Sequence, residues 1–525
     1  MKINKRKSLK QALIILSAIF SLYCVFFNGL SYDQIFHIEN GEKRLRYLFS
    51  LGRYDYYDIL HLRYYPGLYD TISALLATAF PRNIYYESFY LINFLTGLVG
   101  LFGLKKVVKI FFGSNISKIF FIISLFSPIF FGHLPINPKD TIIATANFWI
   151  LYYVIKYLKT DSILIRKDTA IKIGFFLGLG AGVRVLFLGT LIPIIIFFFL
   201  EIFFFKRISN KINFKILFKH IIYVIFISYF LLIICWPNTH SNILTEPFKI
   251  FFQSLSDVSQ GVQLSYFAGN FYQTLDTPWY YIFLNMFYKI PVFYLLSFFL
   301  TFIYLKNIKI YFKANLNFLY YFNLCLFFLF FPILIAIFLN LKIHDGLRYF
   351  IYLIPLFNII PSIFLLSLLK AFTNFKKKIL SFILIPFFIV FLFKFAFITP
   401  YQYSYLNLFN DIFLAKDSFE NDYWGSSSKE LIQKFSKKVD NKKFLKIATC
   451  GVNPINVKYY LKKNGIKNFN LVDFNNDFDY AILINRAIFK VQNNQYQTCY
   501  SKFSDKNVYI SVRKSFIDLS KIVEY

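Results

Sequence analysis

The residues most able to do chemistry lie in short polar stretches between apolar runs. Asp33 follows the first run in SYDQIFHIENGEKRLRYL. A carboxylate partly withdrawn from water gains basicity, and a carboxylate on a rigid element can take a proton from an acceptor hydroxyl or amine. The same residue could simply mark a helix start in solvent. His37 stands four residues on and would share a helical face with Asp33. There it could orient the carboxylate, bind a phosphate, or rest at a membrane interface. Glu39 and Glu42 read as surface acids.

Four further stretches carry charge of a kind that suits a phosphate. LRYYPGLYD (62–70) sets Arg63 among tyrosines, either to meet a phosphate or as part of a headgroup belt. In GHLPINPKDT (132–141) the Asn137-Pro138 step makes a turn ahead of Lys139 and Asp140. Lys139 could pair with Asp140, snorkel, or hold a phosphate. Asp140 could cap the next helix. It could also share a divalent metal, Mg or Mn, with Asp33, phosphate oxygens completing the hard shell. Arg184 lies in the glycine-rich GLGAGVRVLFLG (178–189), where a membrane-embedded charge needs a partner or a watery cavity. His344, Asp345 and Arg348 in HDGLRYF complete the set; Asp345 either caps a helix or orients Arg348 toward an anionic head.

What must position these groups is a membrane. Of 525 residues 57% are hydrophobic, too many to hide in one soluble core, and they cluster in runs of bilayer length. The net charge of +31 does not argue for nucleic acid, because the basic residues flank apolar runs, where they anchor helix ends. The five cysteines make no metal pattern. Cys24, Cys235 and Cys325 read as apolar filler within spans.

The basic N-terminus leads into 12–30, expected as a retained first span. Further spans are expected near 84–104, 116–131, 141–158, 168–183, 185–205, 219–236, 278–304, 317–340, 347–370 and 379–398. With eleven spans and the N-terminus inside, all six basic clusters fall on the cytoplasmic side. The stretches carrying Asp33, Lys139, WPN (236–238) and HDGLRY then share the other face. The pair around Arg184 is the weak link in this count. The expected architecture is a polytopic α-helical membrane domain over 1–399, including an extracytoplasmic loop 31–83, and a small extracytoplasmic α/β domain over 400–525. That last part shows a helix start with Ser427 as cap and Glu430 three residues on, strands at 445–450, 480–485 and 507–513, and a helix at 456–465. Cys450 and Cys499 could pair there.

FFGHLPINPKDTI (130–142), RVLFLG (184–189), WPN, TPWYYIF (277–283), HDGLRYF (344–350), YQYSYLN (401–407) and NDYWGSS (421–427) together carry a family signal. The sequence resembles the bacterial GT-C membrane glycosyltransferases, relatives of the dolichyl-phosphate-mannose protein mannosyltransferases and lipid A aminoarabinose transferases. It is most similar to an uncharacterised subgroup with an outer-loop NPKD segment. The resemblance implies transfer of a sugar from a polyprenyl-phosphate donor to a protein, lipid or glycan acceptor at the outer face of a bacterial inner membrane. It implies Asp33 as catalytic base or metal-associated acid. Family members often carry an Asp-Glu pair here, whereas this chain has Asp33-Gln34, leaving Asp140 as the candidate second acid. His37, Arg63, Lys139, Arg184, His344 and Arg348 are the expected substrate or phosphate contacts. A lipid-linked sugar flippase, another transporter or a polysaccharide polymerase would share many of these features.

Overall fold

A computed structural model describes residues 2–57, 59–256, 263–274, 276–341, 343–414, 417–440, 442–490 and 495–525. Among the described residues six helices are long and apolar enough to cross a membrane: Arg82–Phe112, Asp140–Lys159, Phe214–Ile234, Phe318–Phe338, Leu353–Lys370 and Asn374–Phe397. Two bent pairs bring the number to eight. Ser114–Leu125 turns by 65° into Pro128–Ile136, and Tyr281–Lys289 turns by 112° into Val292–Ile303. A proline stands at each break (Pro128, Pro291), where it removes a backbone donor and cannot continue the preceding turn.

The expected count of eleven is not reproduced. The three shortfalls are the first span, whose apolar part is Gln11–Phe27, and the pair around Arg184. The helix Ile163–Ala181 carries Arg166, Lys167, Asp168 and Lys172, and the chain breaks between Ala181 and Phe187. Among the six long helices, Leu353–Lys370 sits in the middle of the bundle with most of its apolar window covered. Phe214–Ile234 leaves nearly all of its window uncovered. Outward-facing Phe218, Phe226 and Phe382 are each more than 60% exposed, a surface that suits lipid tails and not water.

Near the site, the helix Gln34–Phe49 buries polar residues beside the apolar Ile35 and Ile38: His37, Asn40 and Arg44 follow one another at helical spacing, with Gly41 among them. Gly41 lets the helix Leu68–Ala77 approach so closely that a Cβ would strike the Asp70 carbonyl. His37 Nδ1 and Asn40 Nδ2 both reach Asp70 Oδ2, at 2.9 and 3.0 Å. Arg44 is fully buried and its guanidinium donates to the carbonyls of Leu62, Tyr65, Pro66 and Cys235, with Nε on Asn40 Oδ1. One side chain thus ties the loop at 62–66 to the end of the span Phe214–Ile234. Trp236, fully buried, adds Nε1–H to the Arg63 carbonyl at 2.9 Å.

The C-terminal unit is a five-stranded sheet. Leu445–Cys450 lies between parallel Phe469–Val472 and Tyr480–Ile484; Ile517–Glu524 and then Asn507–Lys514 extend it antiparallel. The helix Pro454–Lys463 matches expectation, while the strands at 469–472 and 517–524 do not show in the sequence pattern. Cys450 and Cys499 are joined in a disulfide. Ser427 does not cap its helix. Its hydroxyl instead donates to Asp422 Oδ2, beside Ser520 Oγ, because Asp422 is buried and needs donors. Gly132 seats this end of the molecule on the bundle: a Cβ there would run into the backbone nitrogen of Tyr403.

Arg44→Met would leave four carbonyl oxygens without their donor in a buried place. We expect a loss on the order of 3–5 kcal/mol, read as a lower thermal midpoint of the detergent-purified protein. An unchanged midpoint would show that Arg44 does not hold these segments together.

Candidate active site

Asp33 stands at the start of the helix Gln34–Phe49, but its side chain makes no cap bond. It turns instead to Lys139, whose Nζ lies 3.2 Å from Asp33 Oδ2. Lys139 is placed by the Asn-Pro turn before it. Asn137 Oδ1 accepts the backbone N–H groups of Lys139 and Asp140, at 3.3 and 3.0 Å. Asn137 is therefore the residue that satisfies the first turn of Asp140–Lys159, and the expected capping by Asp140 is corrected. The Asp140 carboxylate is buried and accepts from Asn137 Nδ2 at 2.9 Å. The expected pairing of Lys139 with Asp140 gives way to the bond with Asp33.

The Asp33 side chain is 34% exposed. Burial alone would raise its pKa, but Lys139, then Arg348 and His37, hold the carboxyl well below the usual carboxylate range. Lys139 is raised in turn: burial works against its charge, and Asp33 more than offsets this. The Lys139 ammonium also sits 5.3 Å from the ring of Tyr65. Burial would push the Tyr65 phenol up, yet Arg184 and Lys139 bring it below its ordinary value.

Arg184 lies in the break between the helices Ile163–Ala181 and Phe187–Thr190. Its guanidinium lies 5.7 Å from the Tyr349 ring, and among the described residues it has no ion pair or hydrogen bond. Arg348 is held on several sides. Nη1 pairs with Asp345 at 2.9 Å, Nη2 donates to His344 Nε2 at 2.9 Å and to Tyr349 Oη at 2.6 Å, and the group stacks near Trp424. Its Nε is buried and has no partner among the described residues. Asp345 adopts a left-handed backbone (φ 55°), followed by Gly346 (φ 68°), a sharp turn of the kind found where side chains are aimed for function. Burial, only partly offset by Asp345, pushes the His344 imidazole down to about 3, so it is neutral and orients Arg348.

Asp33, Lys139, Asp140, Arg184, His344 and Arg348 thus come together. Two expected contacts do not. Arg63 is exposed and its Nη2 donates to Gln253 at 2.9 Å, because its backbone is committed to Trp236 and its neighbours to Arg44. His37 is consumed by Asp70. Asp345 takes the orienting role toward Arg348 that was one of its two readings, and Asn137 makes the turn read from the sequence, whereas Tyr65, Tyr349, Trp424 and Arg486 join the site without having been singled out for it. Tyr65, Asp345, Tyr349 and Trp424 lie inside stretches already marked as unusual; Arg486 had no sequence signal.

The donor set does not fit a resident divalent metal. Asp33 is engaged with an ammonium and Asp140 with an amide. Among the described residues no group of three or more His, Cys, Asp and Glu converges. The chemistry open to this arrangement is anion binding by Lys139, Arg184 and Arg348, with a carboxylate beside it.

The C-terminal unit holds the backbone that carries Asp33. Tyr460 Oη accepts the Leu30 N–H, Asn456 Nδ2 reaches the Leu30 and Ser31 carbonyls, and Asn453 Nδ2 reaches the Tyr32 carbonyl at 2.7 Å. The HLPIN stretch is tied to the same unit: His133 bridges Asn137 and Tyr423, with Tyr423 Oη 2.7 Å from Nε2.

No protein-family model and no curated protein matches this chain. Solved structures do. ArnT from Cupriavidus metallidurans in the apo state aligns with a TM-score of 0.51 at 11% identity, over 99% of this chain and 98% of that one. The same protein bound to undecaprenyl phosphate aligns at 0.50 and 11%, over 98% and 97%. An oligosaccharyltransferase from Archaeoglobus fulgidus in the apo form gives 0.44 and 10%, over 90% of this chain and 69% of that one. From the first helix to the C-terminal sheet, this chain has the fold of the ArnT structures.

Proposed function

We propose that this protein transfers a sugar from a polyprenyl-phosphate donor to an acceptor at the extracytoplasmic face of a bacterial cytoplasmic membrane. The observation that carries the reading is the Asp33–Lys139 pair at 3.2 Å beside Arg184 and Arg348. The similar ArnT structure that holds undecaprenyl phosphate supports a lipid phosphate as partner. In this reading the chain crosses the membrane eleven times, N-terminus inside, with shorter helices completing the count. Residues 400–525 then form an extracytoplasmic domain.

The donor's phosphodiester meets Lys139, Arg184 and Arg348 while its prenyl tail stays in lipid. The acceptor hydroxyl or amine attacks the anomeric carbon, the bond from that carbon to the phosphate oxygen breaks, and the polyprenyl phosphate leaves with that electron pair. A single displacement inverts the carbon. The cations stabilise the leaving phosphate, and Asp33 takes the acceptor's proton. At rest, Lys139 makes Asp33 a poor base. A phosphate that draws Lys139 away removes that counter-ion and brings a negative charge near, and both changes raise the basicity of Asp33. Donor binding therefore prepares the base, which favours donor before acceptor.

One observation favours a second reading. Arg184 at a break between helices would also suit a lipid-linked sugar flippase. A polymerase shares the transfer chemistry and differs in its product.

With a panel of polyprenyl-phosphate sugars, Asp33→Asn should cut transfer about 10²–10⁴-fold while the protein still inserts and purifies normally. Full activity in that variant would remove Asp33 as base, and lipid movement without transfer would favour the flippase. Lys139→Met should move the acidic limb of the kcat/KM profile upward by about one to three pH units. The sign follows because loss of the ammonium lets the Asp33 pKa rise, so the base protonates at higher pH. An unmoved limb would separate Lys139 from Asp33 in catalysis. A reporter fused after Tyr525 should be reached from the extracytoplasmic side; protection there would overturn the topology.

A further inference from the structure

We infer that Arg486, supplied by the C-terminal unit, is a positioning residue of the anion site that acts through Asp345 on Arg348. The inference rests on the polyprenyl-phosphate reading above and deepens it.

Asp345 is 5% exposed and shared between two arginines. Its Oδ2 lies 2.9 Å from Arg348 Nη1, and its Oδ1 lies 3.5 Å from Arg486 Nη2. Arg486 Nη1 donates to the Tyr423 carbonyl at 3.2 Å, and its guanidinium lies 5.2 Å from the ring of Tyr32, the neighbour of Asp33. The turn that presents it is tightly built. The Arg486 N–H reaches the Ile484 carbonyl, and its own carbonyl accepts the Cys499 N–H, both at 2.9 Å. Cys499 is joined to Cys450, and the next residue, Gly451 (φ 78°), lies under Arg486, where an added Cβ would come within 2.9 Å of the Arg486 Cβ. Disulfide, glycine and strand end thus converge on one arginine.

Charge explains what the arrangement does. With Arg348 as its sole partner, Asp345 would cancel that arginine, and an approaching phosphate would meet a neutral pair. With Arg486 as second partner the three groups carry one net positive charge, and Glu420 and Lys289, of opposite sign, face the same cluster. Arg348 then keeps charge for the ligand, and among the described residues its buried Nε–H has no partner. Arg486 need not touch the donor to strengthen its binding.

The test measures binding of undecaprenyl phosphate to the detergent-purified full chain, with undecaprenol as the uncharged control, alongside donor KM and kcat. Arg486→Ala and the bulkier Arg486→Gln should weaken phosphate binding about tenfold or more and raise donor KM with kcat little changed, and the difference should shrink in high salt. Undecaprenol binding should be unaffected, and Arg486→Lys should recover most of the loss. Equal phosphate binding in wild type and Arg486→Gln would overturn the inference. So would equal losses for both lipids, or a loss that Lys does not rescue, since either marks a purely structural role. If the wild type itself does not prefer undecaprenyl phosphate to undecaprenol, the functional reading fails, an outcome visible before any variant is made.

Discussion

Asp33 and Lys139 lie 106 positions apart in the chain, and the ion pair between them makes one site out of two connections. Placing charge beside apolar helix ends is costly unless the charges answer one another. Here each answers more than one. Lys139 serves Asp33 and the Tyr65 ring; Arg348 serves Asp345 and Tyr349; Asp345 serves two arginines. The cluster therefore tolerates its partial burial while keeping more cations than carboxylates, a balance that suits an anionic ligand. The broken helix at Arg184 belongs to the same logic: an arginine at a gap in the helix is nearer to water than one in mid-span.

The sequence makes the membrane class plain, because apolar runs of bilayer length leave no soluble alternative. Four of the site cations and acids are equally visible: Asp33, Lys139, Arg184 and Arg348 are charges at the edges of apolar runs, which is itself the anomaly. The span count is less legible. Phe and Tyr fill crossings, bent pairs and short helices alike, so composition does not separate Ile192–Phe205 from a full span. Arg63 misleads because a surface arginine and a phosphate-binding arginine look alike until backbone commitments are known. Asn40, Arg44 and Asp70 are hidden for the opposite reason. On the helix Gln34–Phe49 polar and apolar side chains are buried together, so its periodicity does not say which polar groups are covered. Arg486 leaves no local trace at all, because its role depends on a sheet whose partners at 469–472 and 517–524 are themselves weakly patterned.

Most of the motif pieces hold the site together. WPN gives Trp236 to the Arg63 carbonyl, and the carbonyl of Cys235 just before it accepts from Arg44. TPWYYIF gives Tyr281 to the Gly346 N–H beneath Asp345. YQYSYLN packs its backbone on Gly132, and NDYWGSS offers Tyr423 to His133 and Trp424 to Arg348. These segments meet around one cluster of charges, where small displacements would change its geometry.

The bonds from Tyr460, Asn456 and Asn453 to residues 30–32 span more than 420 positions of sequence. A ribosome makes residues 30–32 more than 420 positions ahead of these three anchors. While the positions between are made, the loop that bears Asp33 is without its clamp, and Arg348 waits for its companion from residue 486. A chain cut between residues 398 and 452 keeps the helices up to Asn374–Phe397 and lacks all three contacts. The Asp33 segment is held only once residues 453–460 fold back onto it.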